Sequence, residues 1–319
     1  DFSLPARWRG QRVLLHFGAV DYECTAWVNG QQIGWHRGGY APFTFDITQA
    51  VRWDASNSLA VYVLDDTLSP LQPKGKQCMK LEPYGCLYTR VSGIWQTVWL
   101  EAVPQSYLAE FQLTPDWANN ALAVTAQIAG SAGSGELRIR ALAEGKVCGE
   151  VTVHTQGRWA TTYTPLSIAR PWSPQDPFLY DLEIELRHPD GSRDRVKSYF
   201  GLRSIAIEGK VVTLNGRPIF LRQVLDQGYY PDGIYTAPSD ETLRRDIELG
   251  LAFGFNGARL HQKVFEDRYL YWADKLGYLV WAEFGDWGTD INDPNILERV
   301  LEEWVPAVRA QYNHPSVIG

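Results

Sequence analysis

The chain has 319 residues, 45% of them hydrophobic, with a formal net charge of −7. That length suits two or three packed domains, and the absence of any Lys/Arg stripe argues against nucleic acid or an anionic membrane surface as partner. No apolar run approaches a membrane span, and the 13 Trp and 16 Tyr fit a large β-sandwich core more readily than sugar stacking, although they fit both. A neutral substrate is the natural expectation.

Cys24, Cys78, Cys86 and Cys148 form neither a CxxC pair nor a His-partnered spacing, so no metal site, redox motif or cofactor is implied. Free thiols in a reducing, cytoplasmic compartment are preferred to a Cys78–Cys86 bridge. The chain opens at Asp1 with no signal peptide and no Met, so the N-terminus reads as incomplete and export is not legible.

Residues 1–104 read as an antiparallel sandwich. Short β-rich runs at Val13–Phe17, Thr25–Val28, Leu59–Val63 and Thr97–Leu100 lie between turn residues. Asn29-Gly30 supplies the positive φ angles of a two-residue hairpin turn, which places Trp27 and Ile33 on adjacent strands. Ser69 to Arg90, rich in Pro and Gly, is a loop long enough to reach another domain. Residues 105–202 form a second all-β unit with period-two alternation at Leu122–Ala126, Glu136–Arg140, Val151–Val153 and Leu182–Leu186. Seven or so such strands suit an immunoglobulin-like sandwich. The glycine-rich stretch 130–135 reads as a hairpin loop between strands.

From residue 203 the pattern becomes βαβαβ, the rhythm of a parallel sheet. Ile219-Phe220-Leu221, Gly257–Leu260 and Tyr278–Trp281 are the expected strands. Ser239 caps a first helix with Asp240 and Glu241 in its first turn. A second helix carries Phe265, Tyr269, Trp272, Ala273 and Leu276 as core residues before Gly277. A third starts at Asp293-Pro294 with Ile296, Val300, Leu301, Trp304 and Val308 as its apolar set, and Pro306 kinks or divides it. A fourth strand begins at Ser316-Val317-Ile318. Polar residues near these strands form the candidate site: Arg222, Asp226 and Gln227 beside the first, Arg259, His261 and Gln262 with the second, Glu283 and Trp287 past the third. Asp226, Gln227, Arg259, His261, Glu283 and Trp287 are the expected substrate-binding residues. Charged and bidentate groups recognise hydroxyls, and Trp287 offers a stacking face. Arg259 and Glu283, on neighbouring strands, suit a structural ion pair equally well.

Several motifs together are more specific than any one. They are Trp27-Val28-Asn29-Gly30, Gly38-Gly39-Tyr40-Ala41-Pro42-Phe43, Ser92–Leu100, Asn215-Gly216-Arg217-Pro218, Gly254-Phe255-Asn256 with Arg259, and Asn313-His314-Pro315-Ser316-Val317-Ile318. In this order the chain resembles glycoside hydrolase family 2, which contains β-galactosidases, β-glucuronidases and β-mannosidases. The resemblance implies a jelly-roll sugar-binding domain (1–104), an immunoglobulin-like domain (105–202) and the first part of a (β/α)8 TIM barrel (203–319). Fewer than half of the about 250 residues of such a barrel follow Arg203. It also implies retaining exo-hydrolysis of a β-linked terminal sugar, with a carbohydrate substrate and a homo-oligomer open as partners. The acid/base and nucleophile Glu of the family are expected after Gly319, so no catalytic residue falls within the chain and the fragment ends inside the barrel. Gln223–Tyr230 and Arg259–Lys263 depart from the family pattern, which leaves the sugar open. Two rival readings stand beside this one: a non-catalytic carbohydrate-binding or scaffold protein, and an acid/base pair formed by Asp226 and Glu283.

Overall fold

A computed structural model of the chain describes residues 1–130 and 134–319. The first sandwich packs an antiparallel sheet of Phe43–Asp46, Arg12–Phe17 and Val98–Val103 against one of Gln31–Arg37, Glu23–Val28 and Leu59–Leu64. Alternation along each strand turns Val13, Leu15 and Phe17 of one sheet toward Cys24 and Val28 of the other. Asn29 and Gly30 take φ of 53° and 82° and close the hairpin between Val28 and Gln31. The Asn29 amide is tied to Ala50 O at 2.8 Å.

Among the described residues the second sandwich has seven antiparallel strands. Trp159–Pro165, Ala121–Gly130 and Ser106–Asp116 form one sheet, and Lys146–Thr155, Gly135–Ala143, Tyr180–Arg187 and Arg193–Phe200 the other. The hairpin expected over 130–135 falls partly on residues 131–133, outside the described residues. The strands that flank it, Ala121–Gly130 and Gly135–Ala143, belong to different sheets and are not a hairpin pair.

A small antiparallel trio, Ile205–Glu208, Val211–Leu214 and Arg217–Pro218, leads into a parallel sheet of Gln223–Asp226, Gly257–Leu260 and Leu279–Ala282. The first parallel strand therefore lies four residues beyond the expected Ile219-Phe220-Leu221. That segment stays outside the parallel ladder: Ile219 N donates to Val212 O at 2.9 Å, continuing the antiparallel trio, Asn256 Nδ2 donates to Phe220 O at 2.8 Å, and Asn256 Oδ1 accepts from Arg222 N at 2.8 Å. Ile219 and Leu221 pack beside Trp172 and Leu279, while Phe220 is exposed. Arg222 consequently precedes its strand, away from the carboxyl end that was expected to carry it. The expected fourth strand is a single parallel bridge between Val280 and Val317.

Helix α1 (Asp240–Ala252) is capped by Ser239, whose hydroxyl accepts from Thr242 N at 3.2 Å. Helix α2 (Asp267–Leu276) ends on Gly277 in the left-handed region at φ 72°. Helix α3 (Ile296–Gln311) starts later than expected, because Asp293 folds back to accept from Asn295 N at 2.8 Å. It runs through Pro306 as one helix, without the expected division. Its buried side is Ile296, Glu303, Ala307 and Gln311, while Leu301, Trp304 and Val308 are exposed, so the expected apolar face is largely the open one.

Two seams join the third segment to the sandwiches. At the second sandwich, the Asn313 amide brackets the Ser106–Asp116 strand, accepting from Leu113 N at 2.7 Å and donating to Phe111 O at 2.9 Å. Arg203 donates to the carbonyls of Pro315 and Val317, and buried Asp274 accepts from Tyr199 Oη at 2.8 Å and Ser316 N at 2.9 Å while meeting His314 Nδ1 at 2.6 Å. Burial pulls the His314 imidazole down, yet the hydrogen bond and charge of Asp274 leave it above its ordinary value. At the first sandwich, Tyr40 and Trp95 pack with Tyr235, Val264 and Ala307, and buried Glu303 accepts from Tyr40 N at 2.7 Å.

Candidate functional site

Register explains why the polar residues converge. Asp226 pairs with Leu260 and Leu260 with Ala282, so the residues one step further, Gln227, His261 and Glu283, follow one another across the carboxyl ends of the three strands. The Gln227 amide nitrogen lies 3.2 Å from His261 Nδ1. An amide nitrogen only donates, so Nδ1 accepts and the imidazole proton sits on Nε2, which faces Glu283 Oε2 at 3.9 Å. Burial holds His261 below its ordinary value, against the opposing pull of Glu283, and so favours the neutral ring.

Arg259 lies one row back, in register with Leu225 and Trp281, and its Nε donates to Glu283 Oε1. The ion pair expected as the structural alternative is thus formed, although the Arg259 side chain remains half exposed. Asp226 is turned into the protein. Its Oδ1 accepts from Gly228 N at 2.9 Å, and burial raises its pKa against the lowering effects of that bond and of Lys263. Asp226 and Glu283 therefore have separate partners, Gly228 for one and Arg259 for the other. Trp287 stands with its ring edge-on to His261, centroids 5.6 Å apart, and is half exposed.

Gln262, one of the polar residues read at the strand ends but not among the six expected to bind substrate, and Lys263, which was not among those polar residues, complete the arrangement. Gln262, at φ 60°, turns the backbone and uses both ends of its amide, Nε2 donating to Asp286 at 2.6 Å and Oε1 accepting from Trp287 N at 2.9 Å. Lys263 is fully buried and donates to the carbonyls of Gly228 and Tyr235, both at 2.7 Å. The long loop of the first sandwich does reach this segment, since Gly75 N donates to Gly285 O at 3.0 Å and Asp290 N to Pro70 O at 2.8 Å. Loop length was the available signal. Consecutive polar residues after the Gly257–Leu260 strand were the signal for Gln262 and Lys263. A cleft of about 570 Å³ between α3 and the second sandwich meets the site at Glu283 alone among the six expected residues.

Residues 1–104 match the model described as glycosyl hydrolases family 2, sugar binding domain, and residues 106–203 match that described as glycosyl hydrolases family 2. The chain belongs to glycoside hydrolase family 2. Among its family-2 relatives, the β-galactosidase of Thermoanaerobacter pseudethanolicus is 27% identical over 329 residues, covering 99% of this chain and 42% of that protein. The β-glucuronidase of Bacteroides fragilis is 27% identical over 342 residues, covering 97% and 47%. Bacteroides uniformis β-glucuronidase 2, solved covalently bound to cyclophellitol-6-carboxylate aziridine, superposes with a TM-score of 0.84 at 24% identity, over 99% of this chain and 39% of that one. Ruminococcus gnavus β-glucuronidase, solved with D-glucuronic acid, gives a TM-score of 0.83 at 22% identity, over 99% and 55%. These structural likenesses show a shared fold. The chain spans less than half the length of the two sequence relatives named.

Proposed function

We propose that the protein is a retaining exo-β-glycosidase acting at the non-reducing end of a β-linked carbohydrate, and that Gln227, Arg259, His261, Glu283 and Trp287, with Asp226 behind them, line the subsite for the terminal sugar. The observation that carries this reading is the row Gln227, His261, Glu283 at the carboxyl ends of a parallel sheet in a family-2 chain, the end at which α/β barrels build their sites. In this reading residues 1–104 are a jelly-roll sugar-binding domain, residues 105–202 an immunoglobulin-like domain, and residues 203–319 the opening βαβαβ of a (β/α)8 barrel. The strand alternation and the parallel register support that division. Neutral His261 and the Arg259–Glu283 pair would present a donor and an acceptor to sugar hydroxyls, and the half-exposed Trp287 ring an apolar face.

Retention requires one carboxyl group to protonate the leaving oxygen and another, about 5 Å away, to form a glycosyl-enzyme that water then cleaves. Asp226 and Glu283 are engaged by Gly228 and Arg259, which favours a binding role for Glu283. The reacting pair is proposed to lie outside residues 1–319, in keeping with the 42% of the Thermoanaerobacter protein that the chain spans. Proton NMR of the first sugar released from an aryl β-glycoside by the enzyme should show the β-anomer. First release of the α-anomer would refute retention.

A further inference from the structure

Lys76 lies on the loop of the first sandwich and is 3% exposed. Lysines so deeply buried normally meet a carboxylate, but neither close neighbour of this ammonium is one: the Trp287 ring centroid is 3.5 Å from Nζ and Cys86 Sγ is also at 3.5 Å. Lys76 is too enclosed to serve as a ligand contact itself. The indole it sits on is 43% exposed, so Trp287 presents the surface that the lysine lacks.

The backbone on both sides of this contact is pinned. A Cβ at Gly75 would stand 2.0 Å from Gln262 O, and Gly75 has φ +56°, so glycine alone lets the loop approach Gln262 this closely. Gln262 in turn accepts from Trp287 N through its amide oxygen. Next to Lys76, the Lys74 ammonium donates to the carbonyls of Thr67 and Ser69 at 2.9 and 3.0 Å, and its stem fills the space beside Gly288. These tethers bring the two residues together, and the indole itself is met by the Lys76 cation on its ring and by the His261 ring edge-on to it.

We propose that Lys76 is a positioning residue: its ammonium, attracted to the Trp287 ring, holds that indole at the angle at which its open surface stacks on the terminal sugar, so that the first sandwich sets the shape of the subsite in the third segment. The inference rests on the reading that Trp287 lines the subsite. Lys76→Met keeps the apolar stem and removes the charge, whereas Lys76→Arg keeps a cation able to sit on the ring. In the enzyme labelled with 5-fluorotryptophan, with the Trp287 resonance assigned through Trp287→Phe, Lys76→Met should displace that resonance. It should also raise KM for an aryl β-glycoside on the order of tenfold, more than it lowers kcat, as loss of a desolvated cation–π contact implies. Lys76→Arg should restore both. If the Met variant fails to fold, Lys76→Gln replaces it.

An unmoved Trp287 resonance in the uncharged variant, or an Arg variant no better than Met, overturns the proposal. An unchanged KM in Lys76→Met, with weakened binding in Trp287→Ala, overturns the positioning role and leaves the subsite reading in place. Unchanged binding in Trp287→Ala removes the subsite reading, and the proposal with it.

Discussion

Replacing Glu303 by Gln should make the chain more stable at alkaline pH. Glu303 reaches from α3 into the first sandwich, where Oε1 accepts from Tyr40 N at 2.7 Å and Oε2 has no hydrogen-bond partner among the described residues. Gly38 lies against its methylenes, and Asp21, with Oδ1 also unpartnered among the described residues, lies against Gly39. Burial, with the nearby Asp21 charge adding to it, pushes Glu303 from 4.5 up to about 8, and burial with Asp65 pushes Asp21 from 3.8 up to about 7. Both are acids whose folded values lie above their unfolded ones. Their contribution is therefore fully present below about pH 4 and is lost as pH rises toward 7 to 8, because the unfolded chain ionises first and binds fewer protons. From pH 5.5 to about 8 is roughly two and a half units, so at about 1.4 kcal/mol per unit Glu303 alone should cost on the order of 3 kcal/mol. Glu303→Gln keeps the acceptor for Tyr40 and cannot ionise. Urea titrations at pH 5.5, 7.0 and 8.5, followed by tryptophan emission and circular dichroism, should show the midpoint of the transition that releases α3 falling with pH in the parent and falling less steeply in the variant, whose remaining slope is that of Asp21 and ends near pH 7. An identical pH slope in both would refute the assignment of this carboxyl as a buried, protonated contact.

Glu283→Gln and His261→Ala should each lower kcat/KM toward an aryl β-glycoside by about tenfold or more with little change in Tm. Normal kinetics in both would make the row structural. Gly75→Ala should destabilise the docked loop by about 2 kcal/mol, since the new Cβ meets Gln262 O at 2.0 Å at a positive φ, and limited proteolysis within 69–90 should accelerate measurably. Asp274→Ala should cost about 3 to 5 kcal/mol by stranding His314, Tyr199 Oη and Ser316 N, read as a fall in urea midpoint; an unchanged midpoint would mean that water replaces the carboxylate without loss.

By itself the sequence determined what neighbouring residues decide between them. Period-two alternation marked the sandwich strands, Asn29-Gly30 the first hairpin, Ser239 the start of α1 and Gly277 the end of α2, because side-chain period, a capping hydroxyl and a positive φ act within a few residues. The strands Gly257–Leu260 and Leu279–Ala282 were legible for the same reason, and with them the row His261 and Glu283. Only tertiary structure decided that the first parallel strand is Gln223–Asp226, since apolar Ile219 and Leu221 satisfy the same local pattern but are claimed by Trp172 and Leu279. It also decided the face of α3, where a buried carboxyl group met a backbone N–H 263 residues away and left Trp304 exposed. The same holds for Lys76 on Trp287. Contacts between segments so distant in the chain leave no periodicity in either one, because the partner's backbone geometry, and not the local pattern, supplies the energy that selects them.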